Sequence, residues 1–221
     1  MIGGNSSLSR EIIDLARDSN YSIVVTSRKR VPPKDVDGIC WLRLDLHSRR
    51  SIKLFLKGIK SIQFDRIICL IGGTTPRHFS QLEIKFIQNY YNTFIANLFY
   101  VLQSVIDNLK DESNIIVMSS RAVNSQSFDP HYAATKGALE SFINSISRHL
   151  DKNKTAICVR SGLIIGSKMF NQMDKDQRKK HFDMSSYALL NIKQICNEIW
   201  KLTPIKTLPH NGSVIVIGAE Y

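Results

Sequence analysis

The sequence predicts an α/β fold in which helices cover both faces of a mainly parallel, doubly wound sheet. Short apolar runs rich in β-branched residues alternate with longer amphipathic segments along the 221 residues. The runs are apolar throughout, which is typical of parallel strands covered on both faces. Their alternation with helices indicates right-handed crossovers. No stretch rich in Pro, Gly or Ser marks a linker, so we expect a single domain over residues 1–221.

The element boundaries follow from these two patterns. Strands are predicted over 22–26, 65–71, 114–118, 155–159 and 213–217. Helices are predicted over 9–19, 51–58, 82–109, 132–150 and 192–202, where apolar residues recur at helical spacing. Helices and strands therefore alternate strictly, as crossover connections require.

The start of the chain departs from this pattern. It reads MIGGNSSLSREI, in which a glycine-bearing turn runs straight into a helix and only Met1 and Ile2 stand where a strand should precede it. In a dinucleotide-binding unit that strand lies in the middle of the sheet. Its loss leaves neighbouring strand edges unpaired. We expect a misplaced start codon, in preference to a trimmed chain or a destabilised form.

The sequence contains no feature of export or membrane insertion. Its longest apolar stretches, 67–71 and 214–217, are too short to cross a bilayer, and no charged leader precedes an apolar segment. The cysteines have neither CxxC nor metal-ligand spacing; they are Cys40, Cys69, Cys158 and Cys196. We expect a cytoplasmic protein with reduced thiols and no metal site.

The net charge of +11 allows two interpretations. One is attraction to nucleic acid, anionic lipid or a phosphorylated substrate. The other is a lysine-rich solvated surface, which we favour because the basic residues are dispersed and no aromatic-interleaved basic stripe accompanies them. We expect no nucleic-acid or membrane partner.

The segment YAATK places Tyr132 and Lys136 four residues apart. Positions with this spacing share one face of a helix, so the phenol and the ammonium can point into one pocket. A nearby cation favours the phenolate and lowers the pKa of the phenol. A tyrosine in this setting can exchange a proton with a carbonyl or an alcohol. Ser120 lies just after the carboxyl end of the strand predicted over 114–118, where open α/β sheets bind ligands, and its hydroxyl can hold a substrate oxygen.

Two further motifs indicate a dinucleotide. Gly3 and Gly4 form a turn at the mouth of the first helix, where backbone N–H groups and the helix dipole favour a pyrophosphate. The strand predicted over 22–26 is followed by Arg28 rather than by an acid. A guanidinium suits a ribose 2′-phosphate, so we expect NADP(H) in preference to NAD(H), with Lys29 and Arg30 assisting.

In this order the motifs resemble those of the short-chain dehydrogenase/reductase family over essentially the whole chain. The opening IGGNSSLSREI resembles the family's TGxxxGxG turn, CLIGGTTP resembles its NNAG segment, and IIVMSS with YAATK resembles the segments of its catalytic residues. WLRLDLHS resembles the segment after its third strand, VRSGLIIGS its PG segment, and GSVIVIGAEY its closing strand. The resemblance implies a Rossmann-like fold and a dehydrogenase or reductase that acts on CH–OH groups.

The resemblance also assigns residues. The catalytic residues are Ser120, Tyr132 and Lys136. The cofactor-binding residues, including those inferred above, are Gly3, Asn5, Ser6, Leu8, Arg28, Asp45, Leu46, Gly72, Gly73, Tyr132, Lys136, Gly162 and Ile164.

Several positions depart from the family pattern. Ser7 and Ser9 replace the second and third turn glycines, where side chains are expected to crowd the pyrophosphate and to push the helix from the strand. Ile71 and Ser161 replace an asparagine and a proline. The family's helix asparagine aligns onto Phe94, with Asn92 and Asn97 flanking it, and its role is not assigned.

These departures keep two alternatives open. One is a catalytically impaired dinucleotide-binding or scaffold protein of the same fold. The other is a sugar-nucleotide epimerase or dehydratase, although those families usually add a substrate domain and only about ninety residues follow Tyr132.

The substrate region is expected over residues 166–186, where Met and Phe side chains accompany Lys175, Arg178 and Lys179. It is either a lid over an anionic, for example sugar-derived, carbonyl or alcohol substrate or simply a solvated helix face. The family usually pairs the helices predicted over 82–109 and 132–150, which implies a homodimer or homotetramer.

Overall fold

Eight parallel-paired strands are found in the described part of the chain, which comprises residues 1–29, 38–75, 78–124, 127, 129–183, 189–202 and 211–218 of a computed structural model. In chain order they are β1 (Ile23–Ser27), β2 (Ile39–Arg43), β3 (Phe64–Cys69), β4 (Leu109–Met118), β5 (Thr155–Ser161), β6 (Ile164–Ile165), β7 (Leu190–Asn191) and β8 (Val214–Ile217). Strand β1 pairs with β2, the order β3-β4-β5-β8 forms a four-stranded sheet, and β6 pairs with β7.

Met1 and Ile2 connect the β1–β2 pair to the four-stranded sheet. The backbone N–H of Thr26 donates to the Met1 carbonyl at 3.0 Å, Ile2 N–H donates to the Ile68 carbonyl at 2.8 Å, and Leu70 N–H donates to the Ile2 carbonyl at 2.8 Å. The order across the molecule is therefore β2-β1-(Met1–Ile2)-β3-β4-β5-β8. These two residues seat the glycine turn at the centre of the sheet.

The helices are α1 (Ser7–Asp18), α2 (Arg49–Ile59), α3 (Ile84–Tyr91), α4 (Leu98–Ile106), α5 (Pro130–Ile146), α6 (Lys168–Gln172), α7 (Lys175–Asp183) and α8 (Ile192–Lys201). The five segments predicted as helices are helical, but one of them is divided, and α6 and α7 were not among the predicted helices. The single helix predicted over 82–109 was wrong, because a π-helical turn at Asn92–Asn97 separates α3 from α4 and Leu109 already belongs to β4. Strand β2 was missed by the apolar-run criterion because its residues are only partly buried or exposed.

Side chains of the central strands fill a core on each face of the sheet. Strand β4 sends Ile115 and Val117 into a cluster with residues of α2, α4 and α5, and it sends Ile116 and Met118 into a cluster with residues of α1 and α8. Helices thus cover both faces, which confirms the predicted doubly wound α/β fold. Among the residues that the structure describes, no helix is both long enough and apolar enough to cross a membrane.

Candidate active site

Helix α5 carries Tyr132 and Lys136 to the carboxyl end of β4. The helix begins at Pro130, and the Asp129 carboxylate caps it by accepting from the Tyr132 N–H at 2.9 Å. Lys136 is 5% exposed, and its Nζ donates to the Met118 carbonyl at 2.6 Å and to the Ile71 carbonyl at 3.0 Å. The same Nζ lies 5.9 Å from the centroid of the Tyr132 ring. The phenol and the ammonium therefore face one place, beside the ends of β3 and β4.

Ser120 completes this group. It follows β4 directly and caps a short 3₁₀ helix, because its Oγ accepts from the Ala122 N–H at 3.2 Å. Its side chain is also hydrogen-bonded to the Tyr132 side chain. The three predicted catalytic residues are thus brought together by the end of β4 and the first turns of α5.

Burial governs the electrostatics of the pair. It raises the pKa of Tyr132, the nearby Asp129 raises it further, and the hydrogen bond with Ser120 opposes both. The expected lowering of this pKa by Lys136 was wrong as a net direction, because desolvation of the phenolate is the larger effect. Burial lowers the pKa of Lys136, against the opposing effects of Cys69, Cys158 and Glu140.

Gly72 and Gly73 form the wall opposite this pair. A Cβ at Gly72 would lie 2.9 Å from Lys136 Nζ, and one at Gly73 would lie 2.7 Å from the Phe94 ring. The Gly73 carbonyl accepts from the Tyr90 hydroxyl at 2.5 Å. The space in front of Lys136 thus depends on the absence of a side chain at residue 72. We call this surface the bare wall at Gly72.

The N-terminal turn lies between the ends of β1 and β3. Gly3 has a positive φ of 101°, a conformation that favours glycine. Its N–H donates to Thr26 Oγ1 at 3.1 Å. Asn5 Nδ2 donates to Ser27 Oγ at 3.0 Å, and Ser6 caps α1 by accepting from the Ser9 N–H at 3.1 Å. These contacts hold the turn against the end of β1.

The expectation that Ser9 would push α1 from the strand was wrong. Ser9 is fully buried, and its hydroxyl lies within hydrogen-bond distance of the Gly4 carbonyl (2.7 Å) and the Ser6 carbonyl (2.6 Å). The hydroxyl therefore ties the turn to the first turn of the helix. Leu8, a predicted cofactor residue, packs with the core cluster of α1 and α8.

The predicted adenine side is formed by the segments after β1 and β2. Arg28 is exposed directly after β1, while Arg30 lies outside the described residues. The Asp45 carboxylate accepts from the His47 N–H at 3.1 Å. Leu46 is buried, and its carbonyl accepts from Asn97 Nδ2 at 2.7 Å. Because the Leu46 side chain is buried, this residue contributes its backbone rather than its side chain to this side of the site.

The π-helical turn contains Phe94, at the position where the family has its helix asparagine, and the two asparagines that flank it. The Phe94 ring lies against Gly73 and 4.8 Å from the Tyr90 ring, measured between centroids. Asn92 is exposed, and Asn97 points to Leu46. Sequence alignment alone did not reveal these contacts, because the π-helical turn changes the register of the helix.

The predicted nicotinamide side and substrate region follow β5. Gly162 is half-buried, and Ile164 begins β6, where it pairs with Leu190. Arg178 stacks on the Phe170 ring at 4.6 Å, and its Nε donates to the Phe170 carbonyl at 3.2 Å. This guanidinium therefore caps the end of α6. Residues 184–186 of the predicted substrate region lie outside the described residues.

The model of the family described as short chain dehydrogenase matches residues 1–178. The chain belongs to this family. No curated protein matches it. The many similar solved structures include a short-chain dehydrogenase from Francisella tularensis, which is 17% identical with a TM-score of 0.82 over 98% of this chain and 94% of that one.

Several of the similar structures contain a nicotinamide cofactor. BdcA in complex with NADPH is 16% identical, with a TM-score of 0.79 over 99% of this chain and 91% of that one. A 4-hydroxyisoleucine dehydrogenase complexed with NADH is 15% identical, with a TM-score of 0.84 over 99% of this chain and 96% of that one. These likenesses concern the fold. Within this short-chain dehydrogenase, the absence of a side chain at Gly72 leaves room beside Lys136 that fits a dinucleotide.

Sequence reasoning named Gly4 as a turn glycine but missed two other residues of the site. A Cβ at Gly4 would collide with Val25 Cγ1, so packing requires a glycine at this position. Glu140 and Arg160 form a buried ion pair next to Lys136. The signal for Glu140 was its spacing, since it lies four residues beyond Lys136 and eight beyond Tyr132 on the same helix.

Proposed function

We propose that this chain is an NADP-dependent oxidoreductase that interconverts a carbonyl and a secondary alcohol on a small molecule by hydride transfer. The observation that supports this most is that Ser120, Tyr132 and Lys136 lie together at the carboxyl end of β4, beside the bare wall at Gly72. Open α/β sheets bind their ligands at this end of the strands.

Each member of the group has a distinct role in reduction. The Ser120 hydroxyl holds the carbonyl oxygen of the substrate, and Tyr132 Oη donates a proton to that oxygen. A bound nicotinamide supplies the hydride. The raised pKa of Tyr132 suits this direction, because the phenol keeps its proton at neutral pH. In oxidation the same oxygen accepts the proton.

Lys136 orients the cofactor in this mechanism. An ammonium has three N–H donors, and the carbonyls of Ile71 and Met118 accept two of them. The third is available for a ribose hydroxyl of the cofactor. Gly72 leaves the room that such a contact needs.

A turnover screen tests this function. NADPH and NADH are offered with panels of aldehydes, ketones and secondary alcohols, and cofactor binding is followed in parallel by fluorescence. We expect saturable NADPH binding and turnover with at least one carbonyl or alcohol. Saturable binding without turnover on any panel would contradict the reaction, and no saturable binding would contradict the cofactor as well.

The preference for NADP rests on Arg28, an exposed guanidinium directly after β1. A charge-assisted hydrogen bond to a 2′-phosphate contributes about 1.5–3 kcal/mol, and about 1.4 kcal/mol corresponds to tenfold. Arg28→Asp should therefore raise KM for NADPH at least about tenfold and lower the ratio of NADPH to NADH efficiency. Arg17→Asp, an equal charge change at the exposed end of α1, is the control. An unchanged cofactor ratio in Arg28→Asp would contradict the assignment.

A catalytically impaired dinucleotide-binding or scaffold protein is the second candidate. Phe94 favours it, because an aromatic ring stands where the family has its helix asparagine. The screen above distinguishes it, since binding without turnover is its expected result.

Two finer features of the substrate and assembly belong to the same proposal. The lysines of α7 suit an anionic or sugar-derived substrate, whereas Arg178 of the same helix binds the Phe170 carbonyl at the end of α6. Self-association to a homodimer or homotetramer is proposed through α4 and α5, where the stacked rings of Phe99 and Phe142 join the two helices and Tyr100 is 53% exposed.

A further inference from the structure

A buried charged cluster lies directly beside the proposed catalytic group. Glu140 Oε1 accepts from Ser119 Oγ at 2.5 Å and from Arg160 Nε at 3.0 Å, and Oε2 accepts from Arg160 Nη2 at 2.5 Å. Both charged residues are 8% exposed. Charged side chains are rarely buried in this way unless they are paired, and a bidentate pair fixes orientation as well as charge.

The cluster belongs to a regular series of contacts between α5 and the end of β4, and this series also includes the catalytic residues. Tyr132, Lys136 and Glu140 are spaced by four along α5 and share one face of the helix. Their partners at the end of β4 are consecutive. Lys136 binds the Met118 carbonyl, Glu140 binds the Ser119 hydroxyl, and Tyr132 is hydrogen-bonded to the Ser120 side chain. The catalytic pair thus binds residues 118 and 120. Glu140 binds Ser119, which lies between them.

The charges around Lys136 make Glu140 electrostatically relevant too. The titratable groups that act on the ammonium are Cys69 of β3, Cys158 of β5 and Glu140 of α5, and Glu140 is the carboxylate among them. Arg160 of β5 is the cation bound to that carboxylate, and Tyr132 lies on the other side of Lys136. If Glu140 lost its charge, the cations of Lys136 and Arg160 would share a buried region without a counterion.

We propose that Glu140 is a positioning residue of the active site: its carboxylate holds Ser119, and with it the neighbouring Ser120, in register with α5, and it keeps the Lys136 ammonium charged beside Arg160. This inference rests on the proposed function. Glu140 itself acts through Ser119 and Lys136 rather than on the substrate.

Glu140→Gln tests the proposal, because it removes the charge and keeps the shape and one oxygen acceptor. In the reductive direction we expect the alkaline limb of the kcat profile to move to lower pH, since Lys136 then loses its proton sooner. We also expect kcat at neutral pH to fall roughly tenfold, while KM for NADPH changes less than about threefold. Glu198→Gln, which removes the carboxylate of an exposed ion pair with Lys201, is the matched control. A uniform loss of kcat with an unmoved pH profile would overturn the proposal.

A second readout does not depend on turnover. The titration of Lys136 is followed by NMR on protein with isotope-labelled lysine and assigned with Lys136→Met. Glu140→Gln should shift this titration to lower pH, whereas Arg160→Gln should shift it to higher pH. Shifts of the same sign, or no shift, would overturn the proposal. If a single variant fails to fold, the double variant Glu140→Gln with Arg160→Gln is used, and its titration should lie below that of the parent because Glu140 is among the groups that raise the pKa of Lys136.

The two measurements separate this proposal from the proposed function. A parent protein without turnover on any substrate would contradict the function, and the Lys136 titration would still decide the role of Glu140. A parent with turnover and an unmoved titration in Glu140→Gln would contradict only the role of Glu140.

Discussion

At the scale of single residues, spacing determines which side chains meet, and burial determines what they do there. The separation of Tyr132 and Lys136 predicted a shared helix face, and the structure has the two side chains side by side. The direction of the phenol pKa was not predictable, because the sequence does not report how deeply the pair is buried. Ser9 makes the same point, since its side chain was expected to push α1 from the strand, and its hydroxyl instead lies within hydrogen-bond distance of the Gly4 and Ser6 carbonyls.

Gly72 provides a prediction at this scale. In Gly72→Ala the added methyl group must displace the Lys136 ammonium, whose Nζ would lie 2.9 Å from it. Because a misplacement of about 1 Å can cost about 100-fold in rate, we expect kcat to fall roughly ten- to 100-fold. Gly58→Ala, at a position with open space around the new Cβ, is the control in steady-state kinetics. Equal kcat values in the two variants would contradict the role of the bare wall.

At the scale of elements, the π-helical turn at Asn92–Asn97 is the feature that the sequence did not predict. Apolar residues recur at helical spacing from 82 to 109, and the π-helical turn lies inside this segment, where it changes the register of the helix. The turn has a structural consequence on each side. Phe94 packs against Gly73, whereas Thr93 and Asn97 bind His47 and Leu46 of the segment after β2. One turn of helix thus supports both ends of the proposed cofactor site.

Asn97→Ala tests this support. The variant removes the hydrogen bond to the Leu46 carbonyl, which contributes about 0.5–1.5 kcal/mol to holding the adenine-side segment. We expect the Kd for NADPH, measured by fluorescence titration, to rise about two- to tenfold while kcat at saturating NADPH stays within about twofold. Asn92→Ala, an exposed position of the same turn, should leave the Kd unchanged. The account of the turn fails if both variants bind NADPH as the parent does.

At the scale of the whole molecule, strict alternation of strands and helices was sufficient to predict the doubly wound fold, because each apolar run could be buried only by helices on both faces. The sequence predicted that Met1 and Ile2 stand in the place of a central strand, but it did not predict that they hydrogen-bond to the strands on both sides, because those strands lie far along the chain. The same holds for the Glu140–Arg160 pair, which joins α5 to β5 across 20 residues.

Assembly is a property of the whole molecule that the surface of α4 makes testable. Tyr100→Lys introduces a charge into the proposed contact of α4 and α5, and an unpaired buried charge costs about 2–5 kcal/mol. We expect the dissociation constant of the oligomer to rise more than about tenfold, as measured by sedimentation or light scattering. Leu54→Lys, at a 60% exposed position of α2, is the control. An oligomer that withstands Tyr100→Lys and dissociates in Leu54→Lys would place the contact elsewhere.

The most direct measurement compares turnover and NADPH binding in Tyr132→Phe. The variant keeps the aromatic ring and removes the hydroxyl that is hydrogen-bonded to Ser120. Because a positioned acid contributes about 100- to 10,000-fold to the rate, we predict a fall in kcat of at least about 100-fold with a Kd for NADPH within about threefold of the parent. Turnover within tenfold of the parent would contradict proton transfer by this phenol, and with it the proposed reaction.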